Sequence, residues 1–171
     1  RQTQLWDEVP RNIRELPEVV EYYASELVSV QASGEAEQVL RDYLNNNWQE
    51  STIVLYSELD ILATESQLLN VEAWLEDHQH NAYLLLALGK MCARMSLWGK
   101  ARSYLEASLS VQPMPVTFLK LAELLEDHMN EKILAQDYYR QGLHMLSGDY
   151  GEHTLANDFE RVVQTPELKI I

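Results

Sequence analysis

Apolar residues recur along this chain at helical spacing, in short segments that come in pairs. Val20, Tyr23, Ala24 and Leu27 fall at i, i+3, i+4 and i+7 and predict one amphipathic helix. Pro17 opens it, at a place where a missing N–H costs nothing. Gln31-Ala32-Ser33-Gly34 predicts a turn, and Ala36, Val39, Leu40, Tyr43 and Leu44 predict a second helix. The same order of helix, turn and helix returns over 82–114, where Leu85, Leu88, Gly89 and Cys92 precede Ala101, Leu105 and Ser108. It returns again over 115–145, where Phe118, Leu121, Ala122 and Leu125 precede Ala135, Tyr138, Tyr139, Gly142 and Leu143. The segment between, 51–81, is weaker. It predicts helices over Ile53–Leu62 and Glu65–Glu76, with Thr64 as an N-cap and Gln67 reaching back to it.

Small residues sit at constant spacing across these pairs. Ala24 and Ala36 are twelve apart, as are Gly89 and Ala101, while Ala122 and Ala135 are thirteen apart because the Asp127-His128-Met129-Asn130 turn carries one extra residue. Compact side chains let two helix axes approach where they cross. Helix pairs at a period of about 34 residues with such crossings are the signature of tetratricopeptide repeats. The predicted fold is therefore all-α, a right-handed solenoid of about four units at 17–50, 51–81, 82–114 and 115–145. Residues 1–16 read as a capping lead-in. Residues 146–171 read as a capping helix or flexible tail, with Gly148 and Gly151 before a weakly amphipathic stretch of Leu155, Phe159, Val162 and Val163.

Charge narrows the partners. Thirteen basic residues face 27 acidic ones, for a net charge of −14. A phosphate backbone would be repelled, so nucleic acid is excluded as an expected partner. The lone Cys92 allows no internal disulfide and no multi-cysteine metal site. No run of 18 apolar residues is present to cross a bilayer. The chain begins at Arg1 and reads as a fragment, so an anchor upstream is compatible with it.

The stretch LLLALGKMCARMSLWGKARSYLEASL (84–109), with YYRQGL (138–143), EAEQVL (35–40) and Ala73–Leu75, resembles the C-terminal region of the bacterial HemY family, most specifically at LWGKAR (97–102). The resemblance implies a repeat domain of a proteobacterial inner-membrane protein tied to late haem biosynthesis, anchored by an N-terminal segment and facing the cytoplasm. It implies a scaffold or regulator that gathers haem-pathway enzymes. The flavin-dependent oxidase that shares the label is not implied, because no G-x-G-x-x-G follows a strand here.

In such repeats the first helix of each pair faces the partner groove. Its register selects Glu18, Glu21, Ser25, Val28 and Ser29 in the first unit, Tyr83, Leu86, Lys90, Ala93 and Arg94 in the third, and Val116, Leu119, Glu123, Glu126 and Asp127 in the fourth. Lys90 and Arg94 stand one turn apart and could hold a carboxylate; alternatively they pair with Glu123, Glu126 or Asp127. Lys90 stands where the carboxylate clamp of chaperone-binding repeats has asparagine. No cofactor, metal site or catalytic constellation is expected. His78, His80, His128, His144 and His153 read as solvated, and Cys92 as a small core residue. The leading expectation is a non-enzymatic protein-binding scaffold. A regulator of envelope or lipopolysaccharide assembly and a haem or porphyrin carrier stand as alternatives.

Overall fold

The computed structural model describes residues 6–59 and 65–149, and every regular element among them is helical. A short helix α1 (Arg11–Arg14) leads into α2 (Pro17–Ser29), α3 (Ser33–Asn46) and α4 (Glu50–Glu58). Then come α5 (Glu65–Ala73), α6 (Leu75–His78), α7 (Ala82–Arg94), α8 (Trp98–Val111), α9 (Pro115–His128) and α10 (Lys132–Asp149). The chain divides into two compact units, 1–112 and 113–171. Three tight helix hairpins dominate: α2 with α3, α7 with α8, and α9 with α10.

The predicted crossings are where these hairpins close. Ala24, Ala36, Ala101, Ala122 and Ala135 are all fully buried. At Gly89 a Cβ would stand 2.7 Å from Cγ and Cδ2 of Leu105, so only glycine fits the present packing. Ser108 lies on the same seam and donates its hydroxyl to the carbonyl of Ala82 across the hairpin, at 2.8 Å. Apolar faces read from the periodicity fill the interior: Val20 and Leu27 on α2, Leu40 and Leu44 on α3, Leu85, Leu88 and Cys92 on α7, Leu121 and Leu125 on α9. Each such leucine, moved from water to the core, contributes roughly 1.5–3 kcal/mol before entropy is counted.

The turns differ from expectation in an instructive way. Ser33 and Gly34 belong to α3, and the residue that takes a left-handed backbone is Gln31, with φ 63°. Ser96 and Asn130 do the same between their helices, at φ 59° and 56°. The first two turns close by paired backbone bonds, Gln31 N–H to Val28 and Ala32 N–H to Leu27, then Ser96 N–H to Ala93 and Leu97 N–H to Cys92. This is the Schellman arrangement, which satisfies the orphaned carbonyls at a helix end. In the third turn the closing bond runs from Glu131 N–H to Leu125, one residue further, which absorbs the thirteen-residue spacing.

The second unit departs most from its prediction. Its first helix starts at Glu50 and ends at Glu58, with Leu59 already at ψ 126°, so the helix expected over Ile53–Leu62 stops at Glu58, and 60–62 lie outside the described residues. Thr64, the expected N-cap, lies outside the described residues. The second helix is broken at Trp74 into α5 and α6 instead of running unbroken to Glu76. Among the described residues, α4 packs chiefly on α7 and on α3. At the other end, α10 passes through Gly148 and reaches Asp149, so this helix runs past the expected boundary at 145. Gly151, Leu155, Phe159, Val162 and Val163 lie outside the described residues.

Candidate functional site

The partner-facing register of α2 starts at Glu18 and reaches Glu21, whose carboxylate is already engaged. Ser51 and Thr52 both donate their hydroxyls to its Oε1, each at 2.7 Å. Both donors lie in the first turn of α4, where a carboxylate also suits the positive end of the helix dipole. Glu21 thus ties two neighbouring first helices together. Val28, further along the same helix, is 38% exposed.

On α7, Tyr83 is half-buried and Leu86 is buried, so Leu86 is corrected from a groove residue to a packing residue. Its place in the register faces outward only if the neighbouring helix stands off, and α4 lies close against α7. Lys90 and Arg94 both meet the end of α4. Lys90 Nζ donates to Ser57 Oγ at 3.2 Å and stands 3.7 Å from the Glu58 carboxylate. The Arg94 guanidinium donates to the carbonyl of Ser57 at 3.0 Å. A helix C-terminus leaves its last carbonyls without intrahelical donors and carries partial negative charge, so two cations there act as caps.

In the fourth repeat the register of α9 is more open. Val116 and Leu119 are 40% and 43% exposed and lie one turn apart. Glu123 pairs with Lys120 at 2.8 Å, Glu126 accepts the Tyr139 hydroxyl at 3.2 Å, and Asp127 is exposed. The result is a helix face that is apolar at its start and acidic at its end.

Three polar groups drawn into the packing between helices were not legible in the sequence. Glu37 is buried on α3, where it accepts the Tyr56 hydroxyl at 2.7 Å and lies 3.6 Å from the Arg41 guanidinium. Burial, and then the bond to Glu37, push the Tyr56 phenol well above its usual range. Glu72 on α5 receives Lys100 Nζ at 2.6 Å and the Tyr104 hydroxyl, both from α8. Desolvation alone would raise the Glu72 carboxyl, but the bonds from Lys100 and Tyr104 outweigh it and hold the group below the usual carboxylate range. Thr117 is fully buried on α9 with its hydroxyl unpartnered. Helical periodicity marks glutamate and threonine as outward residues, so each of these waited for a partner helix to appear.

The histidines and the cysteine divide by environment. His78 is half-buried and stacks on Trp48 with ring centres 3.7 Å apart, while Trp74 meets Trp48 edge-on at 5.9 Å. His80, His128 and His144 are exposed, and His153 lies outside the described residues. Cys92 is fully buried, and burial pushes its thiol up to about 11. A thiol kept protonated is a poor nucleophile and a poor axial ligand. Among the described residues no group of three or more His, Cys, Asp or Glu is placed to hold a metal ion, and no helix is long and apolar enough to cross a membrane.

The fold is shared with MamA, a tetratricopeptide-like protein. A crystal structure of MamA matches with a TM-score of 0.59 at 13% identity, covering 87% of this chain and 86% of that one. MamA from Desulfovibrio magneticus RS-1 matches with a TM-score of 0.59 at 12% identity, covering 82% and 79%. MamA of MSR-1 gives 0.55 at 12% identity, covering 77% and 78%. No family model matches the chain, and no curated protein does. The chain thus has the all-α fold of tetratricopeptide-type solenoids.

Proposed function

We propose that this chain is a non-enzymatic scaffold that binds a protein partner. The observation that carries the proposal is the face of α9, where Val116 and Leu119 remain 40% and 43% exposed at the partner-facing register. A helix that buries its other apolar residues leaves these two in water, and a partner that covers them recovers their transfer free energy. Glu123, Glu126 and Asp127 then orient a partner carrying positive charge. Within this reading Lys90 and Arg94 hold the scaffold together and do not clamp a ligand.

The finer assignment rests on the HemY resemblance at 84–109 and 138–143. It makes the chain the repeat domain of a bacterial inner-membrane protein, facing the cytoplasm and recruiting late haem-pathway enzymes. The test is capture of purified late haem-pathway enzymes by this domain and by a Val116→Asp, Leu119→Asp variant. Capture lost in the variant supports both the face and the pathway. Capture of envelope-assembly proteins by the same face would transfer the scaffold to that pathway. A haem titration runs alongside: a Soret shift that one histidine or cysteine substitution abolishes would replace the scaffold with a carrier.

A further inference from the structure

A second surface lies in the first unit, between the lead-in and α3. The lead-in around Trp6–Glu15 and the outer side of α3 enclose a cleft of about 620 Å³. Its floor is apolar, made by Trp6, Val20, Val39 and Tyr43. Trp6 is fixed there by parallel stacking on Tyr23, with ring centres 4.2 Å apart, so the wall it forms is built and not incidental.

The charges around that floor are unequal. The lead-in wall balances itself, with Arg11 bonded to Glu15 at 2.9 Å and Arg14 set 3.8 Å from Asp7. The α3 wall does not. Glu35 and Asp42 both line the cleft and are exposed, and neither has an ion-pair partner among the described residues. They stand seven residues apart on one helix face, which is about 10.5 Å of axial rise. The field they make is felt nearby: burial, then the charges of Glu35 and Asp7, push the Tyr23 phenol above its ordinary value.

The geometry points to this cleft as the docking site for an amphipathic helix of a partner protein, whose lysines or arginines lie two turns apart and flank apolar residues. The apolar side chains sit on Val39 and Tyr43, and the two cations meet Glu35 and Asp42. Helix-in-groove recognition uses such anchors at i, i+3, i+4 and i+7. A second copy of this chain fits the charge poorly, since its net charge is −14.

The probe is a fluorescein-labelled helical peptide with lysines seven residues apart and leucines three and four positions after the first lysine. Fluorescence anisotropy is read with the full chain. The expected result is saturable binding that weakens at least tenfold in a Glu35→Lys, Asp42→Lys variant and falls as salt rises. Both positions are exposed, so the variant retains its circular dichroism, and a Glu35→Gln, Asp42→Asn variant gives an intermediate loss. The Val116→Asp, Leu119→Asp variant binds as the unaltered protein does, which separates this site from the α9 face. Equal binding of a peptide with the same residues in scrambled order, or unchanged affinity in the charge-reversed variant, overturns the proposal. So does a sedimentation result in which Glu35→Lys, Asp42→Lys abolishes self-association without altering peptide binding.

Discussion

The Arg94 guanidinium donates to the backbone carbonyl of Ser57, 37 residues earlier, and closes the end of a helix that it does not belong to. Lys90 joins it one turn back on the same face. A pair of cations at groove positions looks like a device for holding a ligand. Here it finishes α4, whose last turn has no glycine and whose own closure is the Leu59 N–H on the Tyr56 carbonyl, leaving the Ser57 carbonyl for Arg94.

Arg94→Ala is expected to lower stability by about 1 kcal/mol, the usual size of a charge-assisted cap at a helix C-terminus. Lys90→Ala should cost a similar amount, because its side chain is only 13% exposed. Urea unfolding at low and moderate salt measures both. A capping role predicts that the loss shrinks as salt screens it.

Gly89 is expected to resist enlargement. Alanine gains about 0.8–1.0 kcal/mol of helix propensity over glycine. Its Cβ would meet Leu105 at 2.7 Å, however, and overpacking costs roughly 1–3 kcal/mol. The net expectation is a modest loss for Gly89→Ala and a larger one for Gly89→Val. A double-mutant cycle with Leu105→Ala should show favourable coupling between the two changes, because the truncated leucine makes room.

Ser96 holds a left-handed backbone at φ 59° with an exposed side chain. Such a conformation costs a non-glycine residue about 1–2 kcal/mol. Ser96→Gly should therefore raise the denaturation midpoint, less the entropy that glycine adds to the unfolded chain. The opposite change, Gly34→Ala, should also stabilise, because Gly34 lies within α3 and a Cβ there meets nothing within 4 Å.

Glu72 makes stability depend on pH in a definite direction. Its carboxyl is held below the ordinary value in the folded chain by Lys100 and Tyr104, against the opposing effect of desolvation. The folded state therefore binds this proton less readily than the unfolded state. The contribution is fully present above the unfolded carboxyl range, near pH 4.3, and is lost as pH falls through the folded value. Glu72→Gln should be less stable than the unaltered protein at pH 7, and the gap should narrow in denaturation series taken from pH 5 down to pH 3. A gap that stays constant over that range would show that the bonds to Lys100 and Tyr104 contribute little.

Much of the core was legible beforehand because its cause is local. Val20, Ala24 and Leu27 share a face whatever else the chain does, and so do Leu85, Leu88, Gly89 and Cys92. The small pairs Ala24 with Ala36 and Gly89 with Ala101 were legible too, since two helices joined by a short turn must cross near fixed positions. Helix ends were less so. The reading of Gly34 as the turn residue followed glycine's general tolerance of left-handed angles, yet the chain strains Gln31 instead and keeps Gly34 in the helix.

Periodicity and compact residues at constant intervals were enough to establish helix hairpins of the tetratricopeptide kind, because both follow from the geometry of one helix and its immediate neighbour. The fate of individual charges was not contained there. Whether Lys90 and Arg94 face a ligand or a helix end depends on α4 stopping at Glu58 and lying against α7. Whether Glu37 is solvated or buried depends on Tyr56 arriving from another helix. A charge takes its role from whatever approaches it in space, and that approach is settled by packing between segments far apart in the chain.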